Sequence, residues 1–258
     1  MGAGPKPFAI IDGHAHVGTW RDPSFGGRAT SLSDATTLYR ALGFQGALLM
    51  ATDLACNVEL FEALAAHDGA PRFRMAWFAE PRQEDDFRAL EQRASSLAVL
   101  KVHPSFLRCP VGDKSLAPYL DLAVEVGLPL VVHCGRWREV AGFEHALEVA
   151  HRYPTLAVVL SHMGGDEPLL VRAALDAIED RRLGNVYLGT ESVRQYWLVQ
   201  EACERLGSSR LIFGSDYNLN HPAAFKAIIE ALGLRDEQRA EVFGANLNGL
   251  LPAHQRFF

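Results

Sequence analysis

Short apolar runs without polar alternation recur along the whole chain of 258 residues, and most are followed by a stretch with helical periodicity. Val, Ile and Leu dominate these runs, which is typical of parallel strands covered on both faces. The predicted strands are Phe8–Asp12, Gly46–Ala51, Phe73–Phe78, Ala98–Val102, Leu128–His133, Leu156–Ser161, Val186–Gly189 and Leu211–Gly214. The predicted helices include Asp34–Leu42, Val58–Ala66, Leu116–Val126 and Glu167–Glu179, and a glycine follows several of them as a candidate C-cap.

This order of elements predicts the fold class. Eight strands alternating with helices over about 250 residues predict an α/β protein, a single (β/α)8 TIM barrel that forms one domain over residues 1–258. A doubly wound open sheet is the alternative, but its glycine-rich nucleotide-binding fingerprint is missing after the first strand. In a barrel, the active site is expected at the C-terminal ends of the strands.

Composition and charge narrow the class of partner. The chain has 31 acidic residues and 25 Lys and Arg residues, and its formal net charge of -6 disfavours a broad nucleic-acid surface. No apolar run approaches the roughly 20 residues that cross a bilayer, and no secretory signal is visible. The four cysteines include no C-x-x-C pair, so we expect reduced thiols in the cytoplasm. We expect a small-molecule substrate, no nucleic acid and no membrane, and leave a homo-oligomer open.

The first candidate for chemistry is the run Asp12-Gly13-His14-Ala15-His16 at the end of the first predicted strand. Side chains at i and i+2 of a strand point to the same side, so His14 and His16 can converge on one metal ion. Taken alone, the pattern also fits two histidines that are satisfied by ordinary hydrogen bonds.

Three further candidates, His133, His162 and Asp216, stand at the C-terminal ends of later predicted strands. Starting from His14, the steps between them are about four, one and two βα units of roughly 32 residues, which predicts strands one, five, six and eight. Since all these ends open on one face of a barrel, imidazoles and a carboxylate would surround one axis. Such a set of N and O donors favours a Zn²⁺-like ion.

The ordered set His14, His16, His133, His162 and Asp216 resembles the amidohydrolase superfamily of metal-dependent barrels. Four local forms resemble its amidohydrolase-2, or amidohydrolase-related, branch: Asp12-Gly13-His14-Ala15-His16, Lys101-Val102-His103-Pro104, Ser161-His162-Met163-Gly164-Gly165 and Phe213-Gly214-Ser215-Asp216. The closing segment Phe243–Leu251 also resembles that branch, although Asn248-Gly249 replaces the more usual Ala-Arg.

The resemblance implies a metal-dependent hydrolase that cleaves an amide, lactone or ester bond with metal-activated water. It implies one divalent ion, with zinc the first choice, and Asp216 as the proton shuttle. His162 would polarise the scissile group or hold the attacking water. The implied ligands are His14, His16, His133 and Asp216.

Lys101 lies on the fourth predicted strand and raises the question of a second ion. In binuclear members of the superfamily, a lysine on that strand becomes carboxylated and bridges two metals. The Lys-x-His-Pro form resembles mononuclear members instead, so we expect one ion and an unmodified Lys101. A buried lysine paired with an acid is the third reading.

The loops after the predicted strands are expected to choose the substrate. Arg28, Arg136, Arg194 and Tyr217 lie in these loops, and arginines near one mouth favour an acidic, carboxylate-bearing substrate. Pairing of these arginines with local surface acids is an equally simple interpretation. Cys134 follows His133 directly and is expected to point the opposite way, into the helix layer.

Other functions remain open on the sequence. Within the same branch, some members use the metal for non-oxidative decarboxylation of an unsaturated or aromatic acid. A metal-dependent nuclease of the DNase type is less favoured, because those proteins have a glutamate motif where this chain has Lys101. A barrel that lost its metal and its activity is the least favoured, since every candidate ligand is present.

Overall fold

A computed structural model of the protein describes residues 8–52, 57–135 and 137–258. Within these residues, nine strands form one curled sheet in the order β2-β1-β3-β4-β5-β6-β7-β8-β9. The strands are β1 Ile11–Thr19, β2 Ala29–Thr30, β3 Gly46–Ala51, β4 Arg72–Phe78, β5 Val99–Val102, β6 Leu130–Val132, β7 Val158–Leu160, β8 Val186–Gly189 and β9 Leu211–Ile212. The pairs from β1 with β3 to β8 with β9 are all parallel. The pair of β2 with β1 is antiparallel.

The first strand differs from its predicted bounds. The sequence predicts an end at Asp12, but β1 continues to Thr19. The strand continues because it has backbone partners on β3, with a register shift between Asp12 and Ala15. His14 and His16 therefore lie inside a paired strand and not in a loop after it.

The two ends of the parallel series are in contact. The amide of Gly13 donates to the carbonyl of Phe213 at 2.8 Å, and the amide of Asp216 donates to the carbonyl of His14 at 2.9 Å. Ala15 also forms an isolated parallel bridge with Tyr217. The segment that follows β9 therefore lies directly against β1.

Helices alternate with the strands, as the periodicity predicts. Two local signals act as expected: Ser31 and Asp34 form a capping box at the start of α1, and Gly127, with a φ of 73°, ends α5. In the described ranges the helices are α1 Leu32–Ala41, α2 Asn57–Ala65, α3 Asp86–Arg93, α4 Pro104–Leu107, α5 Ala117–Val126, α6 Arg138–Ala141, α7 Phe143–Arg152, α8 Pro168–Arg181, α9 Tyr196–Leu206, α10 Pro222–Glu230, α11 Asp236–Ala240 and α12 Asn246–Leu250. Among them, none has both the length and the apolar character that a bilayer crossing requires.

The sheet is buried on both faces, as the uniform apolar runs predict. Leu130 and Val132 of β6 belong to the large core between strands and helices, whereas Val131 belongs to a smaller core. That smaller core joins residues from seven strands and is covered by C-terminal residues such as Leu251 and Phe257. Lys101 is two residues beyond Val99 of the smaller core, so alternation directs both to the same face.

Candidate metal centre

Three buried side chains from the two joined ends of the sheet converge on one point. His14 and His16 project from β1, and Asp216 lies in the segment after β9; they are 3%, 3% and 6% exposed. The Oδ1 atom of Asp216 is 3.8 Å from Nε2 of His14 and 3.5 Å from Nε2 of His16. One donor atom from each residue lies within 4.8 Å of the other two, a spacing that suits a metal ion.

The second ring nitrogen of each histidine is already engaged. Nδ1 of His14 is 3.0 Å from Oε1 of Glu191, and Nδ1 of His16 is 2.9 Å from the carbonyl oxygen of Ala51. Because both of these partners are acceptors, each Nδ1 carries the hydrogen and each Nε2 keeps its lone pair. The free lone pairs are the ones next to Asp216, which is how metal-binding histidines are usually oriented.

Two glycines make room for Glu191. A Cβ atom on Gly189 would lie 2.4 Å from Oε2 of Glu191, and one on Gly214 would lie 2.8 Å from the same oxygen. The Cβ on Gly214 would also come within 3.0 Å of the Cβ of His14. Side chains at these positions would therefore displace the carboxylate that orients His14.

The second oxygen of Asp216 is held as well. The hydroxyl of Ser192 donates to Oδ2 of Asp216 at 2.7 Å, and Nδ2 of Asn220 donates to that hydroxyl at 3.0 Å. Asp216 itself has a φ of 62°, a backbone conformation that is uncommon for residues other than glycine. These contacts leave Oδ1 of Asp216 directed toward the two histidines.

Asp12 holds the backbone of both segments that carry the donors, at His14 in β1 and at Ser215 next to Asp216. Its carboxylate accepts from the amides of His14 and Ser215 at 3.1 and 2.9 Å, from the Tyr39 hydroxyl at 2.7 Å, and from the Ser215 hydroxyl. Burial raises the pKa of Asp12 to about 6, although these hydrogen bonds oppose the shift. Asp12 thereby ties β1 to the segment that carries Asp216.

Burial and neighbouring charges set the protonation states. Burial, with a smaller effect of Lys101, lowers the pKa of His14 to about 4, so the ring is neutral near pH 7, the form that binds metals. Burial opposes ionisation of Glu191, but His14 and other neighbouring basic groups outweigh it and bring its pKa to about 2. Burial likewise opposes ionisation of Asp216, yet the adjacent imidazoles of His16, His14 and His162 hold its pKa well below the usual range.

A cavity of about 220 Å³ opens beside these donors. Several of its lining residues belong to the loops that follow the later parallel strands. It is lined by Phe25, His133, Cys134, Gly135, His162, Asp166, Ser192, Arg194, Asp216, Leu219 and Asn220.

A comparison with protein families identifies the chain. A family model described as amidohydrolase matches residues 11–246, nearly the whole length. The chain belongs to the amidohydrolase family. It is an enzyme of that family, and the resemblance predicted from the sequence motifs is confirmed.

Solved structures share the fold of this amidohydrolase at low sequence identity. The 5-carboxyvanillate decarboxylase LigW from Sphingomonas paucimobilis is 15% identical, with a TM-score of 0.73 over 94% of this chain and 98% of that one. A proposed 2-pyrone-4,6-dicarboxylic acid hydrolase from Pseudomonas putida is 19% identical, with a TM-score of 0.71 over 94% and 97%. A 5-carboxyvanillate decarboxylase from Novosphingobium aromaticivorans, in complex with manganese, is 14% identical, with a TM-score of 0.72 over 96% and 97%. No curated protein sequence matches the chain.

Two further histidines of the amidohydrolase lie together beside the three donors. Nε2 of His162 is 3.1 Å from Nδ1 of His133, and Nδ1 of His162 is 3.1 Å from the carbonyl oxygen of Glu191. The ring of His103 stacks on that of His133, with centroids 3.7 Å apart and planes 11° from parallel. His133, predicted as a ligand, is paired with His162 and is not one of the three residues whose donor atoms converge; its role as a ligand stays a prediction.

Lys101 is buried in the interior near these groups. Its Nζ donates to the hydroxyl of Ser161 at 3.0 Å, and the side chain is 0% exposed. Burial lowers the pKa of Lys101 to about 8, while Glu191 and Asp216 oppose the shift. In the described part of the chain, Lys101 does not belong to the group of candidate metal donors.

Of the residues predicted to select the substrate, some line the cavity and others do not. Arg194 lines the cavity. Nε of Arg28 donates to the carbonyl of Asn218 at 3.2 Å, and the hydroxyl of Tyr217 is 2.9 Å from that of Thr30, so these two side chains are engaged outside the lining. Arg136 lies outside the described residues. Cys134 has its thiol 3.6 Å from the carbonyl of Val132 and belongs to the core between strands and helices.

The loop between β1 and β2 covers one side of the centre. The indole of Trp20 donates to Oδ1 of Asn218 at 2.7 Å, and its ring lies 4.8 Å from that of His16 and 4.6 Å from that of Phe25. Phe25 in turn lines the cavity. The sequence predicted that this loop faces the mouth, but the contact between Trp20 and His16 depends on the tertiary fold.

Proposed function

We propose that this enzyme is a metal-dependent hydrolase that cleaves an amide, lactone or ester bond in a small, carboxylate-bearing molecule. One observation carries the proposal. The free Nε2 atoms of His14 and His16 meet Oδ1 of Asp216 next to the cavity, while both Nδ1 atoms and the other carboxylate oxygen are held by neighbours.

The donor set fits a divalent ion. Two neutral imidazoles and one carboxylate are N and O donors of the kind that bind Zn²⁺, and we propose zinc as the ion. When bound, it supplies Lewis acidity, which lowers the pKa of a coordinated water toward ~7 and polarises a carbonyl. The ligands would be His14, His16 and Asp216, with His133 as the fourth.

Asp216 is assigned the proton transfer. Its carboxylate lines the cavity, where it can accept a proton from the attacking water and return it to the leaving group. Ser192 holds Oδ2 in place, so the carboxylate is oriented before the substrate enters.

His162 is assigned to the attacking water or the scissile group. Its Nδ1 is fixed by the carbonyl of Glu191, and the ring also lines the cavity. With the hydrogen of the neutral ring on Nδ1, Nε2 keeps a lone pair that can hold the attacking water. Polarising the scissile group would need a hydrogen on both ring nitrogens.

Lys101 is proposed to stay unmodified and to bind no metal, so that one ion is present. Its hydrogen bond to Ser161 and its burial support a structural and electrostatic role. Two ions bridged by a carboxylated Lys101 are the alternative.

The substrate carboxylate is assigned to Arg194, because a guanidinium in the cavity wall can bind it through two parallel hydrogen bonds. Arg28, Arg136 and Tyr217 remain predictions as substrate contacts. Closure of the sheet into a single-domain barrel is also a proposal, supported by the hydrogen bonds between β1 and the segment after β9. The homo-oligomer and the cytoplasmic location remain predictions.

Non-oxidative decarboxylation is the second candidate. Two of the three similar structures described above are decarboxylases of a carboxylated aromatic acid, and one of these holds manganese. A site that binds a carboxylate beside a divalent ion and a proton donor suits that reaction as well.

One experiment separates the two reactions. The protein is purified without chelator, its metal content is measured, and it is assayed with a panel of lactones, amides and carboxylated aromatics. For the hydrolase we expect proton release in a pH-stat from lactones or esters, or release of free amine from amides, without CO₂, and about one equivalent of a divalent ion per chain. Release of CO₂ without hydrolysis would overturn the hydrolase in favour of the second candidate, and failure to bind any divalent ion would overturn both.

A further inference from the structure

In the part of the chain that the structure describes, two charged side chains line the cavity without a partner. Asp166 is half-buried and Arg194 is exposed, and they border the same cavity as His162 and Asp216. Within the described ranges, neither side chain makes a hydrogen bond or an ion pair. Asp216, the other carboxylate in the lining, is held by Ser192.

Both charged residues directly follow buried residues in the chain. Asp166 follows Gly164 and Gly165, which are buried and have φ values of 93° and 149°. Arg194 follows Val193, which is 0% exposed. The backbone that precedes each charged residue is therefore buried, and both residues lie at the cavity wall.

A carboxylate that is partly withdrawn from water is unfavourable unless a donor or a cation compensates it. In the cavity, Asp166 would repel a second carboxylate of a ligand and attract an ammonium group, while Arg194 would attract a carboxylate. The two groups together match a ligand with one charge of each sign.

We propose that the substrate is a zwitterion, whose carboxylate contacts Arg194 and whose ammonium group contacts Asp166. This inference rests on the proposed function, since it names the substrate class of the same cavity. A cavity volume of about 220 Å³ suits a small molecule such as an amino-acid derivative.

Three probes of similar shape test the assignment: 4-(aminomethyl)benzoate, a zwitterion; 4-ethylbenzoate, a monoanion; and terephthalate, a dianion. Their affinities for the metal-loaded protein are measured by calorimetry near neutral pH and at low salt, where charge effects are least screened. We expect the zwitterion to bind about tenfold more tightly than the monoanion, and the dianion to bind most weakly.

Three variants test which residue causes the expected preference for the zwitterion. Asp166→Asn is expected to abolish the advantage of the zwitterion and to strengthen binding of terephthalate. Arg194→Gln is expected to weaken all three probes by similar factors and to leave their order unchanged. Glu167→Gln is the matched control, because it removes a neighbouring exposed carboxylate that does not line the cavity, and it should change nothing.

The inference is overturned if Asp166→Asn keeps the wild-type order, if terephthalate binds as tightly as the zwitterion, or if no probe binds. Metal content and turnover are measured on the same samples. The expected order of probes in a protein that takes up no divalent ion would contradict the proposed function and support this inference. If instead the protein binds one ion and turns over substrate but the probes show no charge preference, the proposed function is supported and this inference is overturned.

Discussion

The candidate metal centre and the cavity beside it contain two sets of polar groups that differ in whether neighbouring residues satisfy them. His14, His16 and Asp216 each have one polar atom held by a neighbour, namely Glu191, the Ala51 carbonyl and Ser192. Asp166 and Arg194, on the loops after β7 and β8, have no such partner in the part of the chain that the structure describes. The held groups fix the direction of their free atoms, which suits an ion, whereas the unpartnered charges are available to a ligand that enters and leaves.

The largest effect is expected when a held group is changed chemically but not in size. Asp216→Asn keeps one oxygen toward the histidines but removes the basic carboxylate. We expect kcat to fall on the order of 10²–10⁴-fold, while the protein keeps most of its metal. Metal content and kcat are measured for this variant beside His162→Asn. Near-normal kcat across the neutral pH range in Asp216→Asn would show that Asp216 is at most a ligand.

A smaller effect is expected for Glu191, which contacts the candidate ligand His14 and would not contact the ion itself. Glu191→Gln fits the space left by Gly189 and Gly214, but it removes the charge that fixes the Nδ1 hydrogen of His14. We expect the affinity for the divalent ion to fall about 10–100-fold, measured by competition with a chelator. Glu148→Gln, at an exposed position, serves as the control. Equal metal affinity in both variants would contradict the proposal that Glu191 orients His14 toward the ion.

Lys101 offers the smallest effect, visible in the pH dependence of stability. Its pKa of about 8 in the folded protein lies below the usual lysine value of 10.5, so the unfolded chain binds more protons between these two pH values. The cost of burying the ammonium is fully present below pH 8 and disappears as pH rises through this window. The free energy of unfolding of the wild type should therefore rise relative to Lys101→Met, by at most about 1.4 kcal/mol per pH unit.

Denaturant unfolding of the wild type and of Lys101→Met, with the exposed Lys114→Met as control, measures this difference. A pH-independent difference, combined with bicarbonate-dependent uptake of two ions, would show instead that Lys101 is carboxylated.

Much of the sheet was predictable, because apolar runs covered on both faces need no tertiary information to be recognised. The bounds of β3 and β8 coincide with the predicted Gly46–Ala51 and Val186–Gly189. The prediction for β1 was wrong at its C-terminal end, since Asp12 and His14 interrupt the apolar run. The strand continues through them because β3 and the segment after β9 supply its backbone partners.

The site was predictable only in part. Alternation predicted that His14 and His16 share one side, but the orientation of His133 depends on its contacts with His162 and His103. Nothing in the sequence distinguishes Glu191 from the other residues of its loop. Glycines at 189 and 214, at or near the ends of two neighbouring strands, were a usable signal that a side chain fills the space between them.

The carboxylate of Asp12 has a consequence for the timing of metal uptake in the cell. It accepts a hydrogen bond from the amide of His14 and another from the amide of Ser215, which lies 203 positions after Asp12 and next to the third donor. At about 5–20 residues per second, a ribosome needs about 10–40 s to synthesise that interval. During this time the nascent chain presents two histidines without their carboxylate partner. The three donors can therefore meet only after translation of the segment that follows β9.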